Sequence, residues 1–328
     1  MRIFPVFALI ALLVLASGCT GTDSEKTQLR VVTAGSLLGP LEEIEADYEA
    51  LHPEIDLLIE GHGSIQAIRQ VTDLNRPFDV VAVADESLIP ELMYRPMDGG
   101  GNYTDSCTTF AKTAMVIAYT DQSRYAGEIT ADNWHEILAR PDARVGFSNP
   151  MLDACGYRAL MVTHLAGEHY GNANLFRAIV GDHLETPPTI ERSGETVTIT
   201  LPEQVRPSGG KVNIRSGSVY LLSLLEAGEI DYAFEYESVA REHGLRWIDL
   251  PPEIDLGSTA YADHYRTVEV QLGFQRFSSI GSLRKGMPIV YAVTVPASAP
   301  HPEEASLFVA YMLDAFREGR DGWPDPLP

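Results

Sequence analysis

Four short turns carry the residues with the clearest chemical potential in this sequence. They are Gly35-Ser36, Gly63-Ser64, Asp153-Ala154-Cys155-Gly156 and Ser216-Gly217-Ser218, and each joins a predicted strand to a predicted helix. The first turn of a helix has backbone N–H groups without partners inside the helix, and this end carries partial positive charge. Such an end binds small anions without lysine or arginine, and the serine hydroxyls would add donors. The four turns therefore predict a site for a small anion.

A simpler interpretation exists for each turn taken alone. Ser, Asp and Gly before a helix are ordinary N-caps, which serve the helix and no ligand. Asp153 also does not suit a pure anion site, because its carboxylate would repel the ligand unless it coordinates an electrophilic centre or accepts a proton. The occurrence of four such turns in one chain favours the anion site.

The turns are positioned by an alternation of strands and helices. Leu29–Ala34, Ile55–Ile59 and Asp79–Ala84 have the composition of strands, and apolar residues recur at helical spacing between Leu37 and Leu51. This alternation predicts an α/β fold with an open sheet, in which the carboxyl ends of the strands face the ligand crevice. Residues 186–213 alternate Thr, Val and Ile between Pro and Gly, which predicts a hairpin excursion.

Two turns lie early in the chain and two lie in its middle, which indicates two lobes with a site between them. We expect the chain to cross between the lobes near residues 110–115 and 233–240. The predicted lobe one then comprises residues 29–112 and 239–328, and lobe two comprises residues 113–238.

The amino terminus reads as an export signal. Arg2 precedes an apolar run from Ile3 to Ala16, which is too short to span a bilayer comfortably. The run leads into Ser17-Gly18-Cys19, which resembles a lipobox, in which the cysteine becomes the lipidated first residue. We therefore expect a signal peptide over residues 1–19, lipidation of Cys19, a polar tether over 20–28 and a lipid-anchored protein at the extracellular face of the cell membrane. A plain cleaved signal and a secreted protein is the alternative.

The charge balance excludes one class of partner. The chain has 46 acidic against 24 basic residues, for a net charge of −22. Nucleic-acid binding needs a basic face, so no nucleic-acid partner is expected. Only four of the basic residues are lysine, and an acid-rich, lysine-poor surface is interpreted as a halophilic adaptation, with an ordinary acidic protein as the alternative. The mean hydropathy of −0.05 is typical of a globular chain, not of a multi-span membrane protein.

Motifs of the common enzyme classes are absent from the sequence. It contains neither a phosphate-binding Gly-x-x-x-x-Gly-Lys-Ser/Thr motif nor a Gly-x-Ser-x-Gly nucleophile elbow. His62, His164 and His169 do not have metal-ligand spacing, so neither a resident metal nor a cofactor is expected. Cys107 and Cys155 leave open a disulfide in an oxidising exterior or two independent thiols. The sequence therefore favours a binding protein over an enzyme.

Segments between residues 29 and 316 resemble one known family. They are Ala34-Gly35-Ser36-Leu37, Gly63-Ser64-Ile65, Val71-Thr72-Asp73-Leu74, Asp79-Val80-Val81-Ala82-Val83-Ala84-Asp85, Asn102-Tyr103-Thr104-Asp105, Gly146-Phe147-Ser148, Asp153-Ala154-Cys155-Gly156-Tyr157-Arg158, Tyr236-Glu237-Ser238-Val239-Ala240, Leu250-Pro251-Pro252-Glu253-Ile254-Asp255-Leu256 and Pro288-Ile289-Val290-Tyr291. In this order they are similar to the archaeal-type molybdate/tungstate-binding proteins of ABC importers. The resemblance implies a bilobal type 2 periplasmic-binding-protein fold, with two mixed sheets flanked by helices and a hinge of two crossing strands. It also implies a monomer that passes a small oxyanion to a membrane permease.

The resemblance further implies which residues bind the oxyanion. The lobe-one serines of the family fall on Ser36 and Ser64, its coordinating aspartate falls on Asp153, and a hinge tyrosine falls on Tyr236. In the family, this aspartate and a glutamate both add a ligand to the metal of the oxyanion, which becomes six-coordinate. At the position of that glutamate this chain has Ser218. We therefore expect Asp153 to coordinate Mo or W, with Ser218 lining the site but not repeating the family carboxylate.

Other ligands remain possible on the same residues. Neutral donors in a dry cleft would also satisfy sulfate, and its rejection would depend on cavity size. A protonated phosphate needs an acceptor, which Asp153 could supply, so phosphate is the main rival ligand. A secreted enzyme on the same fold is a further alternative, but we find no paired acid and base to support it.

Overall fold

A computed structural model describes residues 26–273 and 283–327. The predicted signal peptide, with Cys19, lies outside these residues. The first strand begins at Thr27, inside the segment predicted as a tether over residues 20–28. In the two described stretches, no helix combines the length and the apolar character that crossing a membrane would require.

Strands and helices alternate along most of the described chain. The strands are β1 (Thr27–Ala34), β2 (Ile55–His62), β3 (Val80–Val83), β4 (Thr108–Thr113), β5 (Met115–Tyr119), β6 (Val145–Ser148), β7 (Thr189–Ser193), β8 (Thr196–Thr200), β9 (Val212–Arg215), β10 (Tyr232–Tyr236), β11 (Arg246–Asp249), β12 (Val268–Gln271), β13 (Leu283–Lys285), β14 (Ile289–Thr294) and β15 (Asp325–Pro326). The α-helices are α1 (Leu38–Leu51), α2 (Ser64–Thr72), α3 (Leu88–Met93), α4 (Trp134–Ala139), α5 (Ala154–His169), α6 (Leu175–Ile179), α7 (Leu222–Glu226), α8 (Glu237–Glu242), α9 (Ala262–Tyr265) and α10 (Pro302–Glu318). Short 3-10 helices cover Gly35–Leu37, Gly181–His183, Ser218–Leu221 and Thr259–Tyr261.

The first large sheet has six strands in the order β15-β4-β14-β3-β1-β2. Strand β1 runs parallel to β2 and β3, and β14 is antiparallel to both β3 and β4. Every residue of β3 is buried, as expected for a central strand covered on both faces. Because β1, β2 and β3 run in the same direction, their carboxyl ends meet at one edge, where Ser36 and Ser64 follow.

The second large sheet has five strands in the order β11-β5-β10-β6-β9. Strand β6 runs parallel to β9 and β10, whereas β5 is antiparallel to β10 and β11. The carboxyl ends of β6, β9 and β10 lead to Asp153, Ser218 and Tyr236. Thus each large sheet presents part of the predicted site at the carboxyl ends of parallel strands.

Helix α5 forms the centre of the second half of the molecule. It contacts β5, β6 and β10, and it also contacts β12. Most of its side chains are buried, from Ala154 through Gly167, which is typical of a helix enclosed in a core. Asp153, at its start, is therefore attached to a rigid element.

A third, smaller sheet has the order β13-β12-β8-β7. Its strands β7 and β8 form an antiparallel hairpin inside residues 186–213, so the predicted excursion is confirmed. Strands β12 and β13, which the sequence did not indicate, complete this sheet. It adds to the two mixed sheets that were predicted.

The chain passes between the two large sheets at places that lie next to each other. Strand β4 is followed at once by β5, so the first passage is at residue 114. On the return path the carbonyl of Asp255 accepts a hydrogen bond from the N–H of Met115 at 2.8 Å. Strand β11 still pairs with β5, so sheet membership places the return after Asp249 and not near residues 233–240. Local sequence patterns do not reveal this pairing between distant segments, and the lobe boundaries stay a prediction.

Candidate functional site

The carboxylate of Asp153 joins the facing edges of the two large sheets. Its Oδ1 accepts a hydrogen bond from the N–H of Ser64 at 3.3 Å, and its Oδ2 accepts one from the N–H of Ser218 at 3.0 Å. Ser64 belongs to the first sheet's edge and Ser218 to the second sheet's edge. Asp153 is only 5% exposed, and this burial raises the pKa of its carboxyl, although the two N–H donors act in the opposite direction.

Gly63, Asp153 and Gly217 stand at N-cap positions, but no polar side chain of the four turns caps its helix with a hydrogen bond. Ser64 is the first residue of α2, and Ser218 is the first residue of its 3-10 helix. Ser36 is the second residue of the 3-10 helix Gly35–Leu37. Asp153 does stand at the N-cap of α5, but its side chain accepts no hydrogen bond from that helix. The side chains at these turns therefore serve contacts other than capping.

The hydroxyls of Ser36 and Ser64 both accept a hydrogen bond from the protein. Ser36 Oγ accepts from the phenol of Tyr291 at 3.1 Å, and Ser64 Oγ accepts from the N–H of Ala84 at 3.1 Å. A hydroxyl has one hydrogen to donate as well as lone pairs to accept. Each serine thus keeps its hydrogen for another partner, and both side chains are buried.

Tyr236 has the same donor capacity, and Arg158 holds it in place. The guanidinium of Arg158 donates to Tyr236 Oη at 2.7 Å and to the carbonyl of Ala84 at 2.5 Å. It also pairs with Asp85 at 3.2 Å, and the phenol of Tyr157 donates to the same carboxylate oxygen at 2.5 Å. Burial alone would raise the pKa of Asp85, but these partners lower it below its usual value. This buried ion pair connects α5 to the end of β3 across the crevice.

Ser218 is bonded differently from the other hydroxyls. Its Oγ donates to Glu235 Oε1 at 2.8 Å, and the same oxygen accepts the N–H of Tyr236 at 2.8 Å. Glu235 is fully buried, and its second oxygen, Oε2, has no hydrogen-bond partner within the described chain. Burial raises the pKa of Glu235 to about 8, and the nearby charge of Asp153 acts in the same direction.

The two edges are in direct contact. The N–H of Gln66 donates to the carbonyl of Leu152 at 3.0 Å. A Cβ atom added to Gly63 would lie 2.5 Å from that carbonyl oxygen and 2.7 Å from Asp153 Cβ. A Cβ at Gly35 would likewise lie 2.8 Å from a methyl of Val219. Glycine is needed at both positions because the opposite wall leaves no space for a side chain.

These contacts bring all five predicted site residues into one network. It links Ser36, Ser64, Asp153, Ser218 and Tyr236 through Tyr291, Ala84, Arg158 and Glu235. Sequence reasoning assigned no role to Asp85, Arg158, Tyr291 or Glu235. Asp85, Arg158 and Tyr291 lie inside the segments that carry the family resemblance, and that resemblance was the signal that could have identified them. Glu235 directly precedes Tyr236 in the sequence.

Across residues 26–273 and 283–327, no group of three or more His, Cys, Asp or Glu side chains could hold a metal ion. Cys107 and Cys155 are both free thiols, so the disulfide alternative is wrong. What the arrangement offers chemically is a set of hydroxyl donors beside a buried carboxyl, with Arg158 behind them.

Two mixed sheets flanked by helices, joined by two adjacent passages and in contact at their facing edges, form the architecture of a periplasmic-type binding protein. Residues 29–318 match the model of the family described as bacterial extracellular solute-binding protein, and the chain belongs to this family. The members to which it is similar are solute-binding proteins and not enzymes.

Three known proteins illustrate the relationship. The chain is 41% identical to an uncharacterized solute-binding protein of Methanoculleus marisnigri, over 98% of this chain and 91% of the relative. It is 39% identical to the molybdate/tungstate-binding protein WtpA of Thermococcus kodakarensis, over 93% of this chain and 85% of the relative. Among solved structures, the periplasmic molybdate-binding protein of Azotobacter vinelandii matches with a TM-score of 0.53 and 16% identity, over 87% and 92% of the two chains. The predicted type 2 periplasmic-binding-protein fold is thereby confirmed.

Proposed function

We propose that this protein captures molybdate or tungstate outside the cell and delivers it to the permease of an ABC importer. The observation that carries the proposal is the convergence of Ser36, Ser64 and Tyr236, each with a hydroxyl hydrogen to donate, beside the Asp153 carboxyl. Two relatives that carry the name molybdate/tungstate-binding protein, at 39% and 38% identity over nearly the whole chain, support this choice of ligand.

In the proposed complex the hydroxyls hold the oxygens of the dianion. Each hydrogen bond to a charged ligand contributes roughly 1.5–3 kcal/mol. Asp153 supplies a carboxylate oxygen to the hard Mo or W centre of the ligand. Ser218 lines the site at the position of the family glutamate. The protein itself needs no cofactor for this task.

We extend the proposal to the location of the protein. Residues 1–19 act as a signal peptide and Cys19 carries the lipid, so a monomer is anchored at the outer face of the membrane beside its permease. The excess of 46 acidic over 24 basic residues suits a halophilic surface. Replacement of Cys19 by alanine should move the protein from the membrane fraction to the medium, whereas unchanged fractionation would contradict the anchor.

Native mass spectrometry from molybdate, tungstate, sulfate and phosphate buffers tests the ligand. We expect one anion per chain with molybdate or tungstate, retained when sulfate is present in excess. Preferential binding of phosphate would overturn the proposal. That result would favour the second candidate, a phosphate receptor, in which the buried Asp153 accepts a hydrogen bond from the O–H group of a protonated phosphate.

A further inference from the structure

Among the contacts of the described residues, the Ser218 hydroxyl differs in direction from its neighbours. It donates its only hydrogen to Glu235 Oε1 at 2.8 Å, whereas the hydroxyls of Ser36, Ser64 and Tyr236 accept from protein donors. Bonded in this way, Ser218 would present only lone pairs to an anion. An oxyanion without protons has only acceptors, so this direction would repel it.

The surroundings of Glu235 disfavour a charge on its carboxyl. The residue is fully buried, and its Oε2 has no partner within residues 26–273 and 283–327. The titratable groups that face it are Asp153 and Cys155 at the start of α5, Glu242 in α8 and Tyr291 in β14. Burial and the charges of Asp153 and Glu242 oppose its ionisation, and the neutral thiol of Cys155 and phenol of Tyr291 supply no positive charge to offset them. An unpaired oxygen is also far less costly on a neutral acid than on a carboxylate.

We propose that Glu235 sets the hydrogen-bond direction of Ser218 and thereby selects oxyanions that carry no proton, an inference that rests on the proposed function. As a neutral acid, Glu235 donates its proton from Oε1 to Ser218 Oγ and still accepts the Tyr236 N–H on that oxygen. The Ser218 hydrogen then turns to the ligand, so four hydroxyl donors face a dianion such as molybdate. When Glu235 loses its proton to solvent, Ser218 becomes an acceptor and suits a protonated oxyanion instead.

The variant Glu235→Gln tests this direction directly. The Tyr236 N–H requires the amide oxygen at the Oε1 position, so Ser218 keeps donating to it and withholds its hydrogen from the ligand. We expect molybdate affinity at pH 7 to fall about 10- to 100-fold in calorimetry. Ser218→Ala should lose a similar factor, and the double variant should lose no more, because both changes remove the same hydrogen.

The matched control is Glu226→Gln, the same change at the exposed glutamate that ends α7. It should bind molybdate as the wild type does. In the wild type, affinity should fall as the pH rises through about 8, and Glu235→Gln should remove this dependence. Losses that add in the double variant, or wild-type affinity in Glu235→Gln, would overturn the inference.

An infrared difference spectrum separates this inference from the proposed function. The spectrum of the wild type minus the spectrum of Glu235→Gln, both at pH 7, should contain the carbonyl band of a protonated carboxyl group, with or without molybdate. Its absence overturns the inference even when the wild type binds molybdate tightly. A wild type that shows the band but binds only phosphate would overturn both the proposed function and the selectivity, while leaving the proton on Glu235 established.

Discussion

The backbone N–H of Ser64 donates to Asp153 Oδ1 at 3.3 Å, although the two residues are 89 positions apart and follow strands of different sheets. Asp153 Oδ2 simultaneously accepts the N–H of Ser218. One buried carboxylate therefore satisfies donors on both walls of the crevice. This relationship explains how an aspartate belongs to a site for anions, since it holds the two walls together beside the hydroxyl donors.

Loss of a single serine hydroxyl should weaken ligand binding. Ser36→Ala and Ser64→Ala each remove one donor to a charged oxyanion, so we expect molybdate affinity to fall about 10- to 150-fold in calorimetry. Removal of the acceptors for the buried Tyr291 and Ala84 donors should lower the free energy of unfolding by about 1–3 kcal/mol. The exposed Ser223→Ala is the control. Stability loss with full affinity would contradict the assignment.

Asp153→Asn separates two roles of the carboxyl. If Asp153 coordinates the metal of the oxyanion, the amide is a poorer ligand and affinity for molybdate and tungstate should fall. X-ray absorption of bound tungsten should then show more than four ligands in the wild type and one ligand fewer in the variant. A variant that keeps molybdate affinity but loses phosphate binding would instead identify Asp153 as a proton acceptor.

Gly63→Ala should prevent complete closure of the crevice. The added Cβ would lie 2.5 Å from the carbonyl oxygen of Leu152 and 2.7 Å from Asp153 Cβ, on the opposite wall. We expect a larger radius of gyration in solution scattering with saturating molybdate, and weaker binding. Gly209→Ala is the matched control, because nothing lies within 4 Å of its added Cβ. Equal radii for both variants would refute this steric role.

Removing one partner of the buried Arg158–Asp85 pair should destabilise the protein strongly, because the other charge would be left buried and unpaired. Arg158→Met leaves a buried carboxylate without its cation, so we expect a loss of about 3–5 kcal/mol in chemical unfolding. The combined change with Asp85→Asn should cost less, since no charge is then left unpaired. Asp121→Asn, which breaks the exposed pair with Arg246, should change little. A loss that is additive in the double variant would argue against the pairing.

The pH dependence of stability should report the protonation of Glu235. Its pKa rises from 4.5 to about 8 in the folded protein. Its stabilising contribution is therefore complete below pH 4.5 and is lost as the pH rises to about 8. The side chain of Glu235→Gln cannot ionise, so the melting temperature of this variant should rise relative to that of the wild type across this interval. In Glu242→Gln the corresponding gain should end near pH 7. Parallel curves for wild type and Glu235→Gln would contradict a buried neutral acid.

Much of the site was predictable because it follows local rules. Buried parallel strands are apolar along their length, and the residues after them must turn, so β3 and the turns at Ser36, Ser64 and Ser218 are visible in the sequence. Strand β11 was missed because its partner β5 is more than a hundred residues away. The small sheet was only partly predicted, since β12 and β13 pair with an excursion far earlier in the chain.

The sequence by itself determined the order of strands, turns and helices, and with it the side chains that could meet an anion. Only the tertiary structure decided which donor meets which acceptor. Ser36, Ser64 and Ser218 look equivalent in the sequence, yet the hydroxyls of Ser36 and Ser64 pair with the Tyr291 phenol and the Ala84 N–H, whereas the Ser218 hydroxyl pairs with the buried carboxyl of Glu235. The physical reason is that a hydrogen bond depends on distance and direction within a few tenths of an ångström. Segments far apart in the chain acquire that geometry only when the sheets pack together.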